Sequence, residues 1–266
     1  MLPMQNPAPR IIAIANQKGG VGKTTTAVNT AASLAASGYR VLVIDLDPQC
    51  NATSGLGAEL PRRKRTTYGL LAGEAGLSIV ITPTRWDRLF LVPSSPDLAA
   101  ADLELAGVAG RETLLRSALV GLDSSFDFVF IDCPPSLGVL TVNGLTAARE
   151  ALVPVQAEYY ALEGLAQLLD TIQRVSEGLN PSLRILGIVV TMADTRTRLS
   201  KEVLAEVKAH LGEHVLQTVV PRNIRLSEAP SHGLPICHYD QSCLGCVAYA
   251  DVAREIVQRC TVGGRA

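Results

Sequence analysis

Three side chains able to handle a phosphate stand close together near the start of the chain. They are Lys18, Lys23 and Thr24, in the run Lys18-Gly19-Gly20-Val21-Gly22-Lys23-Thr24-Thr25. The glycines let consecutive backbone N–H groups turn toward an anion, Lys23 supplies a mobile positive charge, and the Thr24 hydroxyl suits Mg²⁺. A helix starting near Lys23 would aim its positive end at the same anion. The common phosphate-loop pattern has glycine five residues before the Gly-Lys pair; that position here is Gln17, and Lys18 follows it. A lysine at the mouth of such a loop folds back poorly onto its own nucleotide, so it is free to reach one held by a second subunit. Lys18, Gly19, Gly20, Val21, Gly22, Lys23, Thr24 and Thr25 are therefore the expected nucleotide contacts.

Two further acidic motifs suit the same chemistry. The apolar run Val41–Ile44 ends in Asp45, and Asp47-Pro48-Gln49 follows at once. Carboxylates at the end of such a strand emerge at the edge where open α/β sheets bind ligands. There they could serve Mg²⁺, directly or through water, and orient a hydrolytic water; the plainer alternative for Asp47 is a turn cap before Pro48. Phe128–Ile131 likewise ends in Asp132, before Cys133-Pro134-Pro135-Ser136. Asp132 fits a second metal-site acid, the Pro-Pro step stiffens a loop that could sense a γ-phosphate, and Cys133 fits packing.

Apolar strand-like runs must position these groups: Ile11–Asn16, Arg40–Asp45, Leu89–Pro93, Phe128–Asp132, Ala151–Gln156, Ile185–Thr191 and a short Val215–Val220. Helix-like stretches begin between them near Lys23, Arg111, Gly138, Leu162 and Leu199, with a last one over about Leu244–Arg259. Strands apolar on both faces and alternating with helices imply a mostly parallel sheet covered on both sides, an α/β fold of the phosphate-loop NTPase type. No internal repeat or linker divides the chain. The expected organisation is a tail over 1–10, one domain over 11–260 and a frayed end over 261–266. The 266 residues are 47% hydrophobic and 18% charged with a formal net charge of −1, which excludes a globally basic nucleic-acid coat protein. No apolar run approaches the ~18–20 residues needed to span a bilayer. Met1–Arg10 lacks a hydrophobic signal core, so the expectation is a cytoplasmic protein with six free thiols.

With its leading lysine, Lys18–Thr25 resembles the deviant phosphate-loop ATPases, the group containing ParA/Soj partition proteins, MinD, the nitrogenase iron protein and Mrp-type iron–sulfur carriers. Within that group, longer stretches look like chromosomal ParA/Soj proteins: Asp47–Gly57, Asp132–Gly138, Pro154–Leu165 and Pro221–Gly233. The resemblance implies ATP and Mg²⁺ as cofactors, with Lys18 completing the site of a partner subunit in an ATP-bound homodimer. It implies that Asp47 positions or activates the attacking water, that Asp45 lies nearer the metal's water shell, and that Asp132 binds the metal through water. Pro221 and Asn223 match the adenine-binding loop. The family's DNA-binding arginines match Arg196 and Arg225, with Arg198, Lys201 and Arg222 able to extend the patch. Non-specific nucleoid DNA and a ParB/Spo0J-type centromere-binding protein are the implied partners, with no membrane. ParB-stimulated hydrolysis would release the dimer from DNA. The tetrad Arg62–Arg65 reads as a solvated loop or as an added DNA-facing patch.

Two other roles within the group stay open. A MinD-like positioning ATPase needs a basic amphipathic last helix; Ala248–Arg259 carries Asp251 and Glu255 and reads as a covering helix. An Mrp-type carrier would use Cys243 and Cys246 to bridge a cluster between subunits; incidental thiols are the alternative.

Overall fold

A computed structural model describes residues 8–59, 61–158, 161–194 and 196–262. Eight strands form one sheet: β1 (Arg10–Ile14), β2 (Val41–Asp45), β3 (Thr82–Pro83), β4 (Leu89–Val92), β5 (Phe128–Asp132), β6 (Glu150–Gln156), β7 (Arg184–Ala193) and β8 (Val215–Pro221). Their order is β3-β4-β2-β5-β1-β6-β7-β8. Every neighbouring pair is parallel except β3 with β4. The α/β expectation is met. All seven expected strands are present, with ends shifted by one or two residues. β3 was not anticipated, because two residues that include a proline make an edge strand without a readable period.

Among the described residues, five helices have nine or more residues: α1 (Lys23–Ala36), α2 (Val139–Ala147), α3 (Ala161–Gly178), α4 (Arg198–Leu211) and α5 (Leu244–Val262). Strand alternation sorts the core into two layers. Ile12, Ile14, Val41, Val43, Phe128 and Phe130 point to the face covered by α1 and α5. Ala13, Leu42, Ile44, Val129 and Ile131 point to the face covered by α2, α3 and α4. The helix expected near Arg111 is instead a 3₁₀ turn over Arg111–Thr113 and a short helix over Leu114–Ala118.

Arg10 is the first residue of β1 and is fully buried, its Nη2 donating to Glu150 Oε1 at 2.9 Å and to the Cys260 carbonyl at 3.2 Å. At the other end α5 runs to Val262. Of the expected tail over 1–10 and frayed end over 261–266, residues 1–7 and 263–266 lie outside the described residues. The register that matters for chemistry lies at the sheet's carboxyl edge, where Ile14 pairs with Asp132 and Asp132 with Asp45.

Candidate functional site

β1 delivers the chain into the glycine-rich loop, and α1 leaves it. Gly20 and Gly22 have φ of 75° and 86°, the left-handed region that glycine tolerates at no steric cost. A side chain at Gly19 or Gly20 would meet nothing within 4 Å, so the loop's concave face is open. Two buried side chains fix the loop to the sheet, and a third ties the helix that follows it to α5. Asn16 accepts from the Lys18 N–H at 2.9 Å and donates to the Pro154 carbonyl at 2.7 Å. Thr191 donates to the Val21 carbonyl at 2.8 Å. Thr26, in the first turn of α1, meets the Tyr249 hydroxyl of α5 at 3.2 Å. Nothing in the glycine-rich motif signals Asn16, Thr191 or Tyr249, because their role depends on strand neighbours.

The two lysines occupy different settings. Lys23 is buried, and its Nζ donates to the Lys18 carbonyl at 3.0 Å across the loop. Burial lowers its pKa, opposed by the nearby Asp132 and Asp47. Lys18 is half-exposed, and its Nζ pairs with Glu158 Oε2 of the same chain at 3.2 Å. Glu158 in turn accepts from Gln156 Nε2 at 2.6 Å.

The three acids separate by what already satisfies them. Asp45 accepts from the N–H and hydroxyl of Thr53, at 2.8 and 2.6 Å, and from the Asp47 N–H at 3.2 Å. It thereby braces the turn that carries Asp47. Burial pushes its pKa up to about 6 against those hydrogen bonds. Asp47 lines a cavity of about 460 Å³ with Gly19, Gly20, Lys23, Thr24 and Pro135. Its Oδ1 accepts from the Gln49 N–H at 2.9 Å. Asp132 is wholly buried, and both of its carboxylate oxygens lack a hydrogen-bond partner. Burial and then Asp45 push its pKa well up, and the Thr24 hydroxyl stands beside it, outside good hydrogen-bond geometry. An unsatisfied buried carboxylate is costly in isolation. With a hydroxyl next to it, this is a hard-oxygen donor set of the kind Mg²⁺ takes.

A second cavity of about 410 Å³ adjoins the first, sharing Gly22, Thr25 and Met192 with it. Pro221 and Asn223 line it, as do Val220, Leu226 and Tyr249. Asn223 Oδ1 accepts from the Arg225 N–H at 3.0 Å and caps the short helix Ile224–Glu228. Met192, on the wall between the cavities, has φ of 53°, a conformation its residue type does not announce.

The candidate arginines cluster where β7 and β8 end. Ala193 pairs with Pro221, and the Arg222 N–H donates to the Ala193 carbonyl at 3.0 Å. Arg196, 87% exposed, forms a two-pronged pair with Asp194, at 2.9 and 2.8 Å. That pairing, with a smaller contribution from Arg222, holds the Asp194 carboxyl down at about 2. Arg198 pairs with Glu202 at 2.6 Å, and Arg225 with Glu228 at 2.9 Å and Asp240 at 3.5 Å. Lys201 is exposed. In the basic tetrad, Arg63 lies over the Tyr68 ring at 4.0 Å and pairs with Glu104 at 3.3 Å, so its charge is already engaged.

A mostly parallel sheet whose central strand feeds a phosphate loop, with acids level beside it, defines a P-loop nucleotide-binding protein. A family model described as an AAA domain matches residues 9–185. "Chromosome-partitioning ATPase Soj" of Thermus thermophilus is 54% identical over 250 residues, 94% of this chain and 96% of its own length. "Sporulation initiation inhibitor protein Soj" of Bacillus subtilis is 50% identical over 247 residues, 93% and 98% of the two chains. A crystal structure from Mycobacterium smegmatis, described as cobyrinic acid a,c-diamide synthase with bound ATP analogue and magnesium, superposes with a TM-score of 0.83. It is 40% identical and covers 96% of this chain and 97% of its own. The chain belongs to the ParA/Soj family of chromosome-partitioning ATPases.

Proposed function

We propose that this chain binds and hydrolyses ATP with Mg²⁺ as a homodimer, and that the nucleotide gates its grip on DNA during chromosome or plasmid partition. The observation that carries the reading is the buried, unpartnered Asp132 carboxylate beside Thr24 at the mouth of the phosphate loop. Relatives named as partition ATPases and a solved neighbour bound to an ATP analogue and magnesium support it.

Lys23 exchanges the Lys18 carbonyl for phosphate oxygens, and the loop amides wrap the same group. Mg²⁺ held by Thr24 and, through water, by Asp132 and Asp45 supplies charge neutralisation at the phosphates. Asp47 orients the attacking water, while Pro221 and Asn223 flank the base. Lys18 leaves Glu158 and completes the partner's site; a half-exposed pair of that kind is worth under ~1 kcal/mol, so it yields to a triphosphate. Hydrolysis by positioning and charge neutralisation asks little covalent work of the protein.

In the dimer the arginines at the ends of β7 and β8 hold DNA phosphates, doubled by symmetry. A ParB/Spo0J-type partner stimulates hydrolysis and so releases the dimer from DNA; the ATP-bound dimer associates with the nucleoid in the cytoplasm. The membrane-positioning alternative is disfavoured because α5 buries Ala248, Tyr249, Val252 and Ile256 against α1 and the sheet. No helix among the described residues is long and apolar enough to cross a membrane.

Co-sedimentation with DNA and with liposomes, each with ATP or ADP, tests the reading. DNA should bring the protein down with ATP only, and liposomes should not. Nucleotide-independent sedimentation with DNA, or ATP-dependent sedimentation with liposomes, would overturn it.

A further inference from the structure

α5 begins with two thiols one helical turn apart. Cys243 is the residue before the helix and Cys246 its third, and the Cys246 N–H points at the Cys243 Sγ at 3.4 Å. Both side chains are half-buried and both are free thiols, unlike the enclosed Cys50, Cys133 and Cys260. A Cys-x-x-Cys pair at the start of a helix has the geometry to close a disulfide without moving the rest of the fold.

The turn between the thiols touches the proposed base cavity. A Cβ on the intervening Gly245 would lie 2.7 Å from Leu226 Cγ, so the turn and Leu226 already press together. Leu226 is part of that cavity's wall.

We propose that Cys243 and Cys246 are a reversible dithiol–disulfide site, and that closing the disulfide shifts Leu226 and weakens nucleotide binding. The second half rests on the nucleotide reading above; the first half does not. The oxidant class is a low-molecular-weight disulfide. The Cys243 thiolate attacks one of its sulfurs, the S–S bond breaks and one thiolate leaves. The Cys246 thiolate then attacks the Cys243 sulfur of the mixed disulfide and expels the second. Two electrons pass from the protein to the oxidant, and the two thiol protons end on the released thiols. Burial, then Cys243, then Asp240 push the Cys246 thiol up, which suits it to resolve rather than to attack first. Cys237 is a third thiol near Cys246 and is pushed up to about 11, chiefly by burial.

The test treats the reduced full chain with oxidised glutathione and maps disulfides by mass. The wild type should lose about 2 Da and link Cys243 to Cys246. Cys246→Ser should instead accumulate a glutathione adduct of about 305 Da on Cys243. Retention of all six thiols, or a link from Cys246 to Cys237, would overturn the site. Binding of a fluorescent ATP analogue reads the second half. Oxidised wild type should bind about fivefold or more weakly than reduced, with recovery in reductant, while the Cys243→Ser/Cys246→Ser double variant stays indifferent. Equal affinity in both redox forms overturns the coupling. Absence of binding to the reduced protein refutes the nucleotide reading and leaves the mapped disulfide standing.

Discussion

Asp132 holds a wholly buried carboxylate whose two oxygens accept no hydrogen bond from the fold, and that has a measurable cost. An acid whose folded pKa lies above its unfolded value binds its proton more tightly in the fold. Its contribution to stability therefore falls as pH rises between the two values. For Asp45 that window runs from 3.8 to about 6, and Asp132 shifts in the same direction. Asp132→Asn should melt at a higher temperature than the wild type at pH 8, and the gap should close as the pH is lowered. ADP with Mg²⁺ should raise the wild-type Tm and leave that of the variant nearly unchanged. A variant less stable than the wild type at pH 8 would count against an unpaired charge. Asp47→Ala should leave the fold intact and slow hydrolysis by about a hundredfold or more, trapping an ATP-bound dimer on DNA; rapid turnover would reject Asp47 as the group that handles water. At the loop's mouth, Glu158→Gln frees Lys18 from its cis partner. Light scattering should then show dimers at a lower ATP concentration, by about fivefold at most because the pair is half-exposed.

The elements that carry these residues differ in how far the chain announces them. β1, β2 and β5 are apolar on both faces, and each ends at or just before the proposed nucleotide site, so the strands were readable from the sequence. α1 was readable because the glycine turn precedes it. The break near Arg111 and the left-handed Met192 were not, since neither has a local signature and both depend on neighbours distant in sequence. The helix pressed against the proposed nucleotide site shows the same dependence. Gly144, in α2, has so little room that a Cβ would lie 2.6 Å from Cys133 Sγ, next to Asp132. Alanine in place of a mid-helix glycine ordinarily gains about 0.5–1 kcal/mol, but overpacking costs about 1–3 kcal/mol. The clash should win: Gly144→Ala should lower the Tm by several degrees and weaken Mg²⁺-dependent nucleotide binding. An unchanged Tm would show that Cys133 yields freely.

Across the whole molecule, the proposed phosphate site was legible because it lies in contiguous residues, whereas the charge balance of the proposed DNA-facing edge was not. The sequence offers Arg196, Arg198, Lys201, Arg222 and Arg225 as cations; the fold interleaves them with Asp194, Glu202, Glu228 and Asp240. A single copy therefore presents little net positive field, and the proposed grip depends on phosphates displacing weak exposed pairs at two copies at once. DNA affinity with ATP should fall steeply and linearly in log–log plots against salt, with a slope of about −0.9 per phosphate neutralised. Arg196→Glu should abolish that binding while ATP binding persists; unchanged DNA affinity would remove Arg196 from the surface.

The bond from Arg10 in the first strand to the Cys260 carbonyl near the end of α5 holds these two elements side by side, at the pole away from the phosphate loop. With that bond removed by Arg10→Met, β1 and the last turns of α5 should loosen together, read as faster amide exchange in both, while the far edge of the sheet keeps its protection.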